Sequence, residues 1–408
     1  MKVVFLSHMY PRCRRDYYLQ RSKIGLSSAA DAHQYAIALG LNSVCENFEI
    51  VNVPAVSHFP IRYRDFKQSS EYIEENGLKI HNVGYNNLIE YQLISRCINT
   101  RDTLEKVVRN SNEPLYIVLY GINFAINKAA VDIKHKYPNS IKICNIIPDL
   151  PQDVISNKTI VSRLLNSIHR VYFKRAEDYF KDYDSFVLLT KYMNEVVQAS
   201  NDRYIVSEGI YEEMVTTRQP HSESDYIFTI FYGGMLYEKF GIMNLVKAFS
   251  GIKIPNIRLQ LCGYGDCVDR VKELSKIDER IQYLGVVSRD KALELQSKAS
   301  LLVNPRIPDG NPFTRYSFPS KTMEYLASGT PTLLYELDGI PEEYYNYCYT
   351  LDADHTSCDF LREKILNIYN TNIKDRLSLA EKARSFILQE KNAQVACSRI
   401  YDLLQRTF

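Results

Sequence analysis

No tryptophan occurs among the 408 residues, and no run of apolar residues approaches the length of about 18 that a membrane-spanning helix needs. The second absence excludes a transmembrane segment of that kind. The first, beside 31 tyrosines, carries no functional message by itself. A surplus of one charge is also missing: 50 Lys and Arg stand against 48 Asp and Glu, a net of +2. A molecule so balanced is not an electrostatic binder of nucleic acid. The nine cysteines are odd in number and form no Cys-x-x-Cys pair. That fits reduced thiols in a cytoplasmic protein and speaks against a zinc site. No internal repeat or low-complexity stretch stands out. Met1 to His8 is too short for the core of a signal peptide and reads as a first strand.

What is present is the composition of a globular protein, 45% hydrophobic and 24% charged, long enough for two domains. Short apolar runs alternate with helical patterns through the first half. Strands are expected at Lys2–His8, Phe48–Val53, Pro114–Gly121, Ile141–Ile147 and Asp184–Thr190. Helices are expected at Ala29–Leu41, Ile89–Asn110, Ile122–Tyr137 and Lys191–Ala199. Such alternation builds a parallel sheet, whose ligand crevices lie beyond the strand C-termini. By that rule Tyr120, Gly121, Asn123 and Asp149 are candidates. Asp149, in Pro148-Asp149-Leu150-Pro151, could orient an acceptor hydroxyl or simply stabilise a turn. Residues 10–23 read as a loop with five cations and one acid, facing either anionic lipid, a phosphorylated acceptor or solvent. Ser162–Lys181 is basic and amphipathic, suited to a membrane surface or to domain packing.

The second half repeats the alternation. Tyr226–Gly234 is a strand ending at two glycines, followed by Tyr237-Glu238-Lys239-Phe240-Gly241 and a helix over Ile242–Gly251. A glycine turn with a lysine can cradle phosphate. Arg258–Asp266 gives a strand and a Gly263-Tyr264-Gly265 turn; Ile281–Ser288 gives another strand and a serine-capped helix. Ser300–Pro305 delivers the chain to its central stretch, Phe318-Pro319-Ser320-Lys321-Thr322-Met323-Glu324-Tyr325-Leu326-Ala327-Ser328-Gly329-Thr330-Pro331. This reads as a short helix with Ser317 or Ser320 as its cap, Gly329 as its stop and Pro331 preventing continuation. Met323, Leu326 and Ala327 face the core. Lys321 and Glu324 share the opposite face. A lysine in a first turn, where the helix dipole favours an acid, suggests a bound anion. Glu324 one turn deeper suits the paired hydroxyls of a ribose, and together they describe a nucleotide diphosphate.

Asn304-Pro305-Arg306 with Phe318-Pro319-Ser320-Lys321-x-x-Glu324-Tyr325-x-x-x-Gly329-x-Pro331 resembles the donor-site signature of retaining glycosyltransferases of the GT-B fold, glycosyltransferase family 4 (group 1). The commoner form of that signature has a second glutamate eight positions earlier; here Tyr316 stands there. The resemblance implies an α/β GT-B protein, two Rossmann-like domains facing each other across a cleft. Residues 1–205 would form the acceptor-side domain, 206–225 a linker and 226–385 the donor-binding domain. Residues 386–408, the end of a long last helix from Ile373 to Leu404, would return to the first domain. It implies donor contacts from Gly25, Gly234, Lys239, Gly263, Tyr264, Val287, Arg306, Ser320, Lys321, Thr322 and Glu324, with Lys239 and Lys321 as catalytic groups, to which the strand-end rule adds Asp149. The family's usual arginine near Gly234 has become Met235, and Phe240 intrudes between Lys239 and Gly241; Arg306 or Lys321 would replace the lost charge.

The implied reaction moves a hexose from a nucleotide-diphosphate sugar, such as a UDP-sugar, to a glycan or lipid-linked acceptor. Configuration would be retained without a covalent intermediate, and no cofactor or metal is expected. The setting would be bacterial surface polysaccharide synthesis in the cytoplasm, with peripheral contact at the membrane's inner face open. Specificity would lie in variable loops, residues 10–24, 57–75 and 306–316. Two other readings stay open. One is a nucleotide-sugar epimerase, for which His8 and Asp149 are the available acid/base groups. The other is a non-catalytic nucleotide-sugar-binding scaffold.

Overall fold

The computed structural model describes residues 1–26, 28–89, 91–150, 174–211, 227–308 and 312–408. The chain divides into two units, Met1–Ile210 with Ala393–Phe408, and Tyr211–Asn392. The segment expected to be amphipathic at 162–181 falls, up to residue 173, outside the described residues, as does 212–225 of the expected linker.

In unit 1 the apolar runs become buried strands, since only a sheet covered on both faces hides consecutive apolar side chains. The elements are β1 (Lys2–Ser7), α1 (Arg15–Arg21), α2 (Ser28–Val44), β2 (Phe48–Asn52), β3 (Lys67–Gln68), β4 (Glu71–Glu75), β5 (Leu78–Asn82) and β6 (Tyr85–Asn86). Then come α3 (Tyr91–Arg109), β7 (Leu115–Tyr120), α4 (Phe124–Lys136), β8 (Ile141–Ile147), β9 (Ser185–Leu188), α5 (Asn194–Val197) and β10 (Tyr204–Val206). The sheet runs β10-β9-β8-β7-β1-β2-β5-β4, parallel throughout except for β4, which is antiparallel to β5. The strand order reverses between β1 and β7, so the ends of these two strands flank a crevice.

Two sequence expectations change here. Residues 10–23 are not a loop: α1 occupies Arg15–Arg21, and three of the five cations are held in ion pairs, Arg12 with Asp31, Arg14 with Glu71 and Arg21 with Asp65, at 2.6–2.8 Å. Cations so committed have little left for an external anion. Residues 57–75 are not all loop either, since they contain β3 and β4. Asn76 (φ 49°) and Gly77 (φ 77°) make the two-residue turn between β4 and β5, an Asn-Gly hairpin signal. Its flank Glu71–Glu75 buries Ile73 alone, so apolar content does not mark it as a strand.

Unit 2 is built from β11 (Phe228–Met235), α6 (Ile242–Ser250), β12 (Ile257–Tyr264), α7 (Val268–Ile277), β13 (Ile281–Tyr283), α8 (Arg289–Lys298) and β14 (Leu301–Asn304). It continues through α9 (Pro312–Tyr316), α10 (Lys321–Ala327), β15 (Thr332–Tyr335), β16 (Tyr349–Leu351), α11 (Cys358–Asn370) and α12 (Ile373–Glu390). The sheet order is β13-β12-β11-β14-β15-β16, all parallel. That is the Rossmann order, with its switch point between β11 and β14. The last helix is two helices rather than one. It breaks at Lys391-Asn392, and α13 (Ala393–Thr407) belongs to unit 1, so the return begins at 393 and not 386. There α13 packs on α2, with Cys397, Ile400 and Leu404 joining Val3, Phe5, Tyr116 and Val118 in one buried cluster.

Candidate active site

The switch point of unit 2 collects most of the residues singled out in the sequence. β11 closes on Gly233-Gly234-Met235, and α10 brings Lys321 against Gly234. A β-carbon at Gly234 would lie 2.3 Å from Lys321 Cε and 3.1 Å from its Nζ. Only a residue without a side chain leaves room for the lysine stem there. The arrangement is held from both sides. Tyr325, fully buried, accepts the Gly233 N–H at 3.2 Å, which fixes α10 against β11. Tyr232 donates its hydroxyl to the Met235 carbonyl at 3.1 Å and closes the turn. Burial pushes the Tyr325 phenol well up, so it stays a neutral hydroxyl.

Lys321 Nζ stands 3.9 Å from Glu324 Oε1 and 5.7 Å from the Tyr325 ring centre. Its side chain is half-buried, so the ion pair is neither dry nor fully screened. Glu324 Oε1 also accepts from Gln296 Nε2 at 2.7 Å, while its Oε2 takes no hydrogen bond among the described residues. Gln296, 1% exposed on α8, therefore aims the carboxylate and leaves one oxygen for a ligand. Nothing in the sequence pointed to Gln296, because its partner lies 28 residues away on another helix. Tyr325 stood inside the motif without an assigned role; the fold supplies it.

The other cations approach through an aromatic ring. Lys239, exposed in the Glu238–Phe240 turn, has its Nζ 5.1 Å from the centre of the Phe240 ring. The Arg306 guanidinium carbon lies 5.8 Å from the same ring centre. Phe240, which breaks the family pattern, is thus the surface that both cations share. Arg306 Nη2 also donates to Ser317 Oγ at 3.3 Å. Arg306 is near enough to Tyr232 to act on its phenol, which links this pair of cations to the Gly234 turn. Gly263, at the end of β12, abuts the Gly234 carbonyl; Tyr264 beside it is exposed. The side chain of Val287 packs on the Phe231, Cys262 and Tyr325 cluster.

One expectation fails within α10. Ser320 precedes the helix in helical geometry (φ −52°, ψ −26°) and makes no side-chain cap, and Ser317 receives Arg306 instead. Thr322 is fully buried, its N–H is spent on the Pro319 carbonyl at 2.8 Å, and its hydroxyl has no hydrogen-bond partner among the described residues. The helix has too few turns to expose every third residue, and Thr322 falls on the core side with Met323.

Gly25 and Asp149 belong to unit 1. Gly25 has φ 80°, and its carbonyl accepts from Ser22 Oγ at 2.6 Å. Asp149 is exposed just beyond β8 and its charge, second to burial, raises the Tyr120 phenol. At the switch point between β1 and β7 two imidazoles meet that tyrosine. His33 Nδ1 lies 3.0 Å from Tyr120 Oη, and the His8 ring packs edge-on at 5.5 Å. His33 carries no sequence signal; only the packing of α2 brings it here. Burial depresses both histidines to about 4, helped for His8 by Arg96. Both are neutral at pH 7, and the unfolded chain accepts protons that the folded one refuses. Stability is therefore complete above pH 6.5 and falls as pH drops toward 4, by up to about 3 kcal/mol per histidine. A melting series from pH 7.5 to 4.5 checks this: His33→Gln should flatten the acid side of the wild-type curve, and parallel curves would contradict it.

Among the described residues, no group of three His, Cys, Asp or Glu could hold a metal ion, and no helix is long and apolar enough to cross a membrane. Residues 227–365 match the family model described as glycosyl transferases group 1. No curated protein matches the sequence. Solved structures align over the whole chain at low identity. The lipopolysaccharide outer core galactosyltransferase WaaB, in apo form, gives a TM-score of 0.61 at 12% identity, covering 100% of each chain. Sucrose-phosphate synthase from Thermosynechococcus elongatus gives 0.58 at 11%, covering 100% of this chain and 99% of that one. Anabaena HepE in complex with UDP gives 0.58 at 11%, covering 99% and 100%. The fold is GT-B, and these findings support a GT-B glycosyltransferase.

Proposed function

We propose that this protein is a glycosyltransferase that moves a hexose from a nucleotide-diphosphate sugar, a UDP-sugar in the first instance, to a glycan or lipid-linked acceptor. The anomeric configuration is retained, no metal takes part, and the setting is the cytoplasmic assembly of a bacterial surface polysaccharide. The observation that carries this reading is Lys321 lodged on Gly234 with Glu324 one turn away and steered by Gln296. The group 1 match over the same unit and the UDP bound to the Anabaena neighbour support it.

Breaking the bond between sugar and phosphate leaves negative charge on the departing nucleotide diphosphate. Fixed cations act more strongly on that charge as it develops than on the intact donor, and this lowers the barrier. Lys321 serves this purpose in the glycine turn, with Lys239 and Arg306 beside it on Phe240. Backbone around Gly263, Tyr264 and Val287 receives the base. The unclaimed oxygen of Glu324 accepts ribose hydroxyls, whereas Asp149 orients the acceptor hydroxyl. One carboxylate at the donor cannot act as the nucleophile and acid pair of a hydrolase, so a same-face attack without a covalent intermediate fits best.

Thermal shift with UDP and with UDP-sugars tests the donor site, because a ligand bound by the native state alone raises the melting temperature. Wild type should shift, and Glu324→Ala should weaken UDP binding about 10- to 100-fold, the worth of hydrogen bonds to a charged group. No shift with any nucleotide diphosphate, or equal shifts in both proteins, would remove the site. Addition of a chelator should leave turnover unchanged.

A further inference from the structure

The N-terminal half of α3 is inside out. Its buried stripe is polar: Gln92, Arg96 and Thr100, spaced by four, face the interior. Gln92 donates to the Val56 carbonyl and to Asn87 Oδ1, and Arg96 to the Pro54 and Val56 carbonyls and the Tyr85 hydroxyl. The opposite stripe, Tyr91, Ile94 and Ile98, is apolar and exposed, Ile94 by 58%. A surface helix of a globular protein shows the reverse pattern, and an exposed apolar ridge marks a surface with a partner.

A second exposed apolar segment is tied to the residues just before α3. Asn87 N–H donates to the Phe66 carbonyl and Phe59 N–H to the Asn87 carbonyl, so residues 59–67 run beside the start of α3. They add Ile61, 66% exposed, and Phe66, 58% exposed. Between and beside these apolar groups stand Arg62, Arg64 and Lys67, all exposed, with Lys23 joined to the segment through its N–H on the Arg62 carbonyl and its ammonium on the Pro60 carbonyl. None of the four cations makes an ion pair with a described residue. This distinguishes them from the arginines of residues 12–21, most of which are paired. Asp65, the acid among them, is held by Arg21 and by the Tyr17 hydroxyl.

We infer that this face of unit 1, the Tyr91–Ile98 ridge of α3 with residues 59–67, seats the protein on an anionic lipid surface. Apolar side chains interleaved with cations that no described acid pairs match a partner that lays an anionic layer directly over hydrocarbon, and a bilayer interface does so. A protein partner would be expected to answer the ridge with an apolar face and the cations with fixed acids. The inference deepens the lipid-linked side of the proposed function and rests on it for its purpose, but its test involves neither donor nor turnover.

The full chain is floated with vesicles of phosphatidylcholine alone and with about one third phosphatidylglycerol. Flotation is expected on the anionic vesicles and should fade at high salt. Arg62→Gln with Arg64→Gln should weaken it about 30-fold, taking the usual contribution of a basic residue near such a surface. Ile94→Ser with Ile98→Ser should weaken it at least about tenfold, through lost apolar insertion. All four positions are exposed, so melting temperatures should hold and keep the comparison clean. Absence of flotation, or flotation untouched by both double variants, overturns the inference. So does sedimentation showing a dimer that Ile94→Ser with Ile98→Ser dissociates while vesicles are ignored, which would give the ridge to a second copy. UDP binding by thermal shift, run on the same variants, separates this failure from failure of the transferase reading.

Discussion

Lys321→Ala lowers the turnover of sugar transfer by about 100- to 1,000-fold, the usual effect of removing one fixed group that stabilises developing charge. The size follows from where the ammonium sits. Its stem is packed on Gly234 and its half-buried head lies beside the Tyr325 ring, so in the proposed reaction it would meet the leaving group without first being reorganised. Removal costs more at the transition state than in the ground state, and kcat should fall more than KM rises. Lys321→Arg should not restore the rate. The arginine head is a wide planar fork, not the compact charge that the lysine holds beside Gly234. Folding should be little affected, since the residue contributes one partly exposed ion pair at 3.9 Å. Steady-state kinetics beside a melting curve checks all three statements. An alanine variant with wild-type kcat would place the reacting phosphates elsewhere.

The basis for that prediction was half legible in the sequence. Buried parallel strands advertise themselves as apolar runs, and their alternation with helices is enough to place β1, β7, β8, β11, β12 and β14. The motif from Phe318 to Pro331 fixed the attention on Lys321 and Glu324. What sequence cannot give is the partner of each side chain when that partner comes from a distant element. Gln296 reaches Glu324 across 28 residues, Tyr325 reaches Gly233 across 92, and His33 reaches Tyr120 across 87. Short elements fare worst. In α10, a seven-residue helix, the cap and the face of Thr322 depend on where Pro319 and Ser320 enter, which no periodicity reveals. The edge hairpin of β4 and β5 was hidden because an edge strand needs few apolar residues, although Asn76-Gly77 announced its turn.

Gly241→Ala destabilises unit 2 by at least about 3 kcal/mol, which for a unit of this size is a fall in melting temperature of roughly 6–12 °C. Two separate effects contribute. Gly241 has φ 76°, a left-handed conformation that costs an alanine about 1–2 kcal/mol. In addition its new β-carbon would lie 1.9 Å from the Pro305 carbonyl oxygen and 2.8 Å from the carbonyl carbon. Both are backbone atoms, so no rotamer change relieves the collision, and the turn that carries Lys239 must part from the exit of β14 that carries Arg306. Gly285 isolates the second effect, for it shares φ 76° but has open space where a β-carbon would go. Gly285→Ala should therefore cost only the conformational part, and the difference between the two variants measures the close approach itself. The same displacement should pull Lys239 and Arg306 off their shared Phe240 ring, so Gly241→Ala is expected to weaken UDP binding in the folded fraction while Gly285→Ala leaves it near wild type. Equal melting temperatures for the two alanine variants would show that the β11 and β14 loops are not in contact at this point, and the cation pair would lose its structural basis.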